Sequence, residues 1–129
     1  MRKKGIRVKR EQWLRSKPLR TIEDYEVDDN GNIVLIVEVE EKGVLAKILK
    51  LFSIVPPPKY KKIVLDRIGS KVWLLCDGKH TIDDIVRVVM KETGLSRRNV
   101  EIAVYNYINQ LVMKGLVQLQ IPLEEDSSG

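Results

Sequence analysis

Two periods run along this chain, and the changes between them mark its elements. Residues 21–40 alternate or run apolar in the manner of strands. Tyr25-Glu26-Val27 leads into Asp28-Asp29-Asn30-Gly31-Asn32, and the β-branched run Ile33-Val34-Leu35-Ile36-Val37-Glu38-Val39 follows. Asn-Gly supplies the positive φ angles of a tight turn, so this segment predicts a β-hairpin. In residues 42–55 the period changes. Val44, Leu45, Ile48, Leu49, Leu51 and Phe52 recur at helical spacing with lysines between them, which predicts a short amphipathic helix over one end of the core. Pro56-Pro57-Pro58 ends it. Residues 59–65 return to alternation, with Ile63 and Leu65 on one face of a strand and Tyr60, Lys62 and Val64 on the other.

Three helices are expected next. The first carries Ile68, Val72, Trp73, Leu75 and Cys76, with Asp66 before it and Gly78 after. The second opens at Thr81, with Asp84 placed for a capping box, and ends at Gly94. Ser96 caps the third, from about residue 97 to residue 114. Gly115 stops it and residues 116–121 offer a last strand. The order β-β-(α)-β-α-α-α-β reads as a small α+β domain over residues 21–121, with residues 42–58 as an inserted helix and proline-rich turn. Residues 122–129 read as a flexible tail.

The length of 129 residues allows one modest core and excludes separate cofactor and substrate domains. The net charge of +5 invites a nucleic-acid partner, but its distribution argues otherwise. Residues 1–20 hold nine basic side chains and one acidic, a net of +8; the other 109 residues hold 14 basic and 17 acidic, a net of −3. The basic character therefore belongs to an N-terminal arm, solvated or tethered to an acidic surface. Trp13 and Leu14 lie within it and suggest that residues 11–20 dock on the domain. No apolar run follows the arm as in a signal peptide, and none reaches the length of a membrane span. A cytoplasmic protein is expected.

The inventory for chemistry is thin. His80 is the single histidine and Cys76 the single cysteine, too few for a metal site of those ligands, a disulfide or a nucleophilic triad. No glycine-rich phosphate loop is present. The chain reads as a non-catalytic protein that needs no cofactor.

What remains is the helix, turn, helix and strand order of residues 81–121, the order of a winged helix-turn-helix. In a DNA reader the third helix would present polar side chains to base edges. Here Val100, Ala103, Val104, Tyr107, Ile108 and Leu111 form the core stripe. Arg98, Glu101, Ile102, Tyr105, Asn109 and Val112 face outward. Isoleucine, tyrosine and a carboxylate suit a peptide or protein better than a duplex.

The run Val64-Leu65-Asp66-Arg67-Ile68-Gly69-Ser70-Lys71-Val72-Trp73-Leu74-Leu75-Cys76-Asp77-Gly78-Lys79-His80-Thr81-Ile82-Asp83-Asp84-Ile85 resembles the PqqD family, named for a pyrroloquinoline quinone synthesis protein. Its mark is a leucine- or aromatic-bearing helix ending in Cys-Asp-Gly, then a helix opening on Thr, an apolar residue and an acid. Leu111 and Lys114-Gly115-Leu116-Val117 are similar to the family's closing segment. The resemblance implies a winged-helix-like fold, a small antiparallel sheet packed on three α-helices. It also implies a RiPP recognition element, a chaperone-like carrier. Such an element binds a peptide as an added strand and presents it to a modifying enzyme, often a radical S-adenosylmethionine enzyme. Carried onto this chain, the groove would be lined by Tyr60, Lys62, Val64, Arg98, Ile102, Tyr105 and Asn109. Two other readings stand beside it. One is a winged-helix nucleic-acid binder using Arg97, Arg98, Arg2, Lys3 and Lys4. The other is a self-associating structural domain, its groove filled by the N-terminal segment or by the second subunit of a homodimer.

Overall fold

The computed structural model describes residues 8–39, 43–55 and 59–123. Arg2, Lys3 and Lys4, the three prolines and the end of the tail lie outside the described residues. The chain divides into two compact units. One comprises the residues up to Glu23 together with those from Ile68 onward; the other is Asp24–Arg67.

The first unit holds α1 (Arg10–Arg15), β1 (Lys17–Arg20), then α3 (Arg67–Leu75, whose first residue closes the other unit), α4 (Ile82–Thr93), α5 (Arg97–Met113) and β5 (Val117–Gln120). The second holds β2 (Tyr25–Val27), β3 (Ile33–Val39), α2 (Val44–Leu51) and β4 (Lys59–Val64). The fold is α+β, with five helices and antiparallel sheets of two and three strands among the described residues.

In the first unit the helices bury the stripes that the periodicity marked. Trp73 and Val72 of α3, Ile82, Ile85, Val86 and Val89 of α4, and Val100, Val104, Ile108 and Leu111 of α5 are all buried. Ala103, expected in the α5 stripe, is exposed, and Tyr107 is half-buried. The caps expected at Thr81 and Ser96 form. Thr81 Oγ1 accepts from the Asp84 amide at 3.1 Å, and the Thr81 amide donates to Asp84 Oδ2 at 2.9 Å. Ser96 Oγ accepts from the Asn99 amide at 3.3 Å. Each satisfies a helix-end amide that has no partner within the helix.

One expectation is sharpened and one changes. First, residues 10–20, the part of the basic segment in which Trp13 and Leu14 suggested docking, form α1 and β1. Leu14, Ser16 and Pro18 are buried, and β1 pairs along its length with β5, Lys17 opposite Gln120 and Arg20 opposite Val117. Apolar side chains between the positive charges supply the burial that like charges alone would oppose. Second, the strands do not form one sheet. β5 pairs with β1 in a two-stranded sheet, while β2, β3 and β4 form another in that order. The helix-turn-helix of α4 and α5 is present, but β5 pairs with the N-terminal strand rather than with a following strand that would make a wing.

In the second unit the hairpin forms as expected. The Asp28 carboxylate accepts from the amides of Asn30 and Asn32, both at 2.9 Å, and Gly31 takes a φ of +82°. β4 then pairs with β3, Val64 opposite Val34 and Lys59 opposite Val39. The helix α2 is where expected, but none of its side chains is buried, so it does not cover a core.

Candidate functional site: the outward face of the last helix

The residues expected to line one groove fall in different units: Tyr60, Lys62 and Val64 on β4, and Arg98, Ile102, Tyr105 and Asn109 on α5.

On α5 all four side chains are exposed, Ile102 at 53% and Tyr105 at 49%. Beside them lies part of the N-terminal segment, one of the occupants the sequence left open for this face. α1 runs along this face, and Trp13 meets Tyr105 edge-on with ring centroids 5.4 Å apart. Val8, Arg10, Trp13, Glu101, Ile102 and Tyr105 line an open groove of about 350 Å³. Its walls are aliphatic and aromatic, and its one charged rim is already neutralised.

That rim is a ladder of alternating charge. Arg10 donates to both oxygens of Glu101, Nε to Oε1 at 2.8 Å and Nη2 to Oε2 at 2.6 Å. Arg97 Nε donates to the same Oε2 at 2.7 Å, and its Nη2 donates to Asp83 Oδ1. Arg87 reaches Asp83 Oδ2 at 2.8 Å. The ladder ties α1 to α5 and α5 to α4. Its consequence for charge is mutual: hydrogen bonds from Arg10 and Arg97 hold the Glu101 carboxyl below its ordinary range despite partial burial. The hydrogen bonds to Asp83 and Glu101 raise the Arg97 guanidinium. Arg97 is thus engaged within the protein, while Arg98 is exposed.

α1 is tied to the rest of its unit by two further hydrogen bonds and closed at its end by one of its own. Gln12 Nε2 donates to the Pro122 carbonyl at 3.2 Å, Ser16 Oγ donates to the Gln12 carbonyl at 2.8 Å, and the Ile82 amide donates to the Ser16 carbonyl at 2.8 Å. The sequence signal for all this was Trp13. The pairing partners lie at the far end of the chain, where local pattern gives no notice of them.

The Cys76-Asp77-Gly78 turn serves this arrangement. The Gly78 amide donates to the Pro18 carbonyl at 2.8 Å, and the Arg20 amide donates to the Cys76 carbonyl at 2.9 Å. Gly78 has a φ of +77°, and a Cβ there would stand 3.1 Å from Leu19 Cδ1. Glycine is therefore required both by backbone conformation and by the close approach of β1. Burial would raise the Asp77 carboxyl. The amides of His80 and Lys79 and the His80 ring outweigh that and hold it down at about 2. Cys76 is fully buried, donates to the Val72 carbonyl at 3.2 Å, and has its thiol pushed up to about 12 by that burial. A thiol in that state is a packing group and not a nucleophile. Among the described residues no three His, Cys, Asp or Glu side chains gather as a metal site. No helix there is long and apolar enough to cross a membrane.

On β4, Tyr60, Lys62 and Val64 are exposed while Ile63 is half-buried and Leu65 beyond it is buried. The alternation read from the sequence is the one observed. Lys62 Nζ lies 3.8 Å from Glu26 Oε2. The strand order leaves β4 at an edge of its sheet.

These features define a small α+β protein with an apolar, charge-neutralised helix face and a basic edge strand. The chain belongs to the PqqD family: the model for coenzyme PQQ synthesis protein D matches residues 53–117, half of the chain. That span runs from the end of α2 to the start of β5 and contains β4 and all of α5, but neither α1 nor β1. No curated protein and no solved structure matches the chain.

Proposed function

We propose that the chain is a non-catalytic accessory protein that captures a peptide as an added strand and presents it to a partner modifying enzyme. The observation that carries this reading is β4. It is six residues long, stands at a sheet edge, and is exposed along one face. A strand at a sheet edge can offer main-chain donors and acceptors to an extended peptide, and alternate side chains give selectivity. Lys59, Lys61 and Lys62 repel a second copy of the same strand and favour an acidic peptide. The α5 face supplies a second, apolar contact surface through Ile102 and Tyr105, with Arg98 and Asn109 at its margins. A radical S-adenosylmethionine enzyme is the partner the family likeness suggests.

The nucleic-acid reading is disfavoured by Arg97, whose guanidinium is committed to Asp83 and Glu101. The self-association reading has one feature in its favour, since α1 of the same chain already lies on the α5 face. That contact leaves Ile102 and Tyr105 half exposed, so it shapes the groove without filling it.

The test is fluorescence titration with synthetic peptides encoded by short reading frames beside the gene. Trp13 lines the groove and reports occupancy, while Trp73 is fully buried. One such peptide should bind the wild-type protein and bind Tyr60→Ala and Tyr105→Ala more weakly. Equal binding to all three proteins would remove both surfaces from the account.

A further inference from the structure

Helix α2 shows its apolar side to solvent. At about 100° per residue, Val44, Leu45, Ile48, Leu51 and Phe52 share one arc, and every one is exposed, Val44 at 72% and Leu51 at 79%. Ala46 and Leu49, which are partly shielded, lie outside that arc. Lys47 stands on its flank, and Lys50 lies behind it on the opposite side of the helix. After the helix Ser53 takes a φ of +54°, and the Ile54 amide donates back to the Leu49 carbonyl at 2.8 Å. This hook leaves Val55 90% exposed. A contiguous apolar surface of this kind on a small protein marks something that it binds.

The charge around it selects the partner. From Gly43 to Leu65 the sequence has five lysines and no acidic residue. Two copies of this surface would bring like charges together, which disfavours a dimer through it. The arc also contains no polar side chain with which a protein partner could fix a register. An apolar face bordered by Lys47 in a segment whose charges are all lysines, with no directional group within the arc, matches a surface that is itself apolar beneath and anionic above. The apolar side chains sink below the headgroups while the lysine stems extend to the phosphates.

We propose that α2 and the hook after it dock this protein on an anionic lipid bilayer. The helix has eight residues, so the attachment is weak, reversible and dependent on anionic lipid. It concerns a surface separate from α5, and it holds or fails independently of peptide capture.

The experiment is co-sedimentation of the full chain with vesicles of phosphatidylcholine, with and without about 30% phosphatidylglycerol. The protein should pellet with the anionic vesicles and be released by salt. The double variant Ile48→Glu, Leu51→Glu should lose about tenfold or more in partitioning with an unchanged melting temperature, because both side chains are exposed. A second variant, Lys47→Glu with Lys50→Glu, keeps the arc and should lose the preference for anionic lipid. Three results would overturn the proposal. One is no pelleting with anionic vesicles. Another is full binding by the Ile48→Glu, Leu51→Glu protein, with loss only on deleting residues 1–7. The third is a solution dimer that the same double variant dissociates.

Discussion

Trp13 stands edge-on to Tyr105 at 5.4 Å, with an interplanar angle of 62°. This contact joins a helix near the start of the chain to the outward face of α5. Edge-to-face aromatic pairs contribute about 0.5–1.5 kcal/mol beyond their buried area. Trp13→Ala should therefore lower the stability of the first unit by about 1–3 kcal/mol, read by urea unfolding. Tyr105→Ala, at a half-exposed position, should cost less than that. A Tyr105→Ala protein that fails to fold would show that Tyr105 serves the core.

The Arg10–Glu101–Arg97–Asp83 ladder makes Glu101 its central acceptor. Glu101→Gln keeps the shape and removes the charge, leaving two guanidinium groups facing each other. The ladder is partly open to solvent, so a loss of about 1–2 kcal/mol is expected. Addition of salt should narrow the difference between variant and wild type. A variant as stable as the wild type at low salt would mean that the ladder contributes nothing net.

Asp77 gives a pH signature. Its folded value of about 2 lies below the ordinary carboxylate value of 3.8. Its stabilising effect is therefore full above about pH 4 and is lost as pH falls toward 2. The stability difference between wild type and Asp77→Asn should shrink as pH falls through that window. Taking the difference removes the contributions of Asp84 and Glu101, whose carboxyls are also lowered.

Cys76 and Gly78 test the turn itself. The Cys76 thiol is buried and raised to about 12. It should be inert to a thiol reagent at pH 8 in the folded protein and react only on unfolding. Gly78→Ala imposes a side chain at a φ of +77° and 3.1 Å from Leu19, so it should destabilise by about 1–3 kcal/mol. The further change Leu19→Ala should relieve the contact but not the backbone strain. Rapid labelling of Cys76 in the native protein would contradict the close fit of β1 on this turn.

The elements from residue 25 onward were legible because each carries its own signal. Asn30-Gly31 marks the hairpin, Thr81 with Asp84 marks the start of α4, and the stripe Val100, Val104, Ile108 and Leu111 marks the buried side of α5. The segment from Arg10 to Arg20 was legible only in part: Trp13 and Leu14 marked it as docking, but its helix and strand were not marked. Its charge dominated the local pattern, and the contacts that fold it (Gln120 for Lys17, Tyr105 for Trp13, Cys76 for Arg20) come from distant residues. The candidate site followed the same division. Ile102 and Tyr105 could be placed on an outward face by periodicity alone. Arg10, Trp13 and Val8 beside them could not. The expected single sheet failed for a related reason, since alternation identifies a strand but not its partner.

Peptide capture by β4 is tested most directly by amide hydrogen exchange over residues 59–64, with and without a bound peptide. An added strand pairs with the sheet edge, so β4 amides should become protected as the peptide is titrated. Unchanged exchange along β4 while the peptide is bound would contradict strand addition. So would salt-sensitive binding of duplex DNA in the absence of any peptide binding.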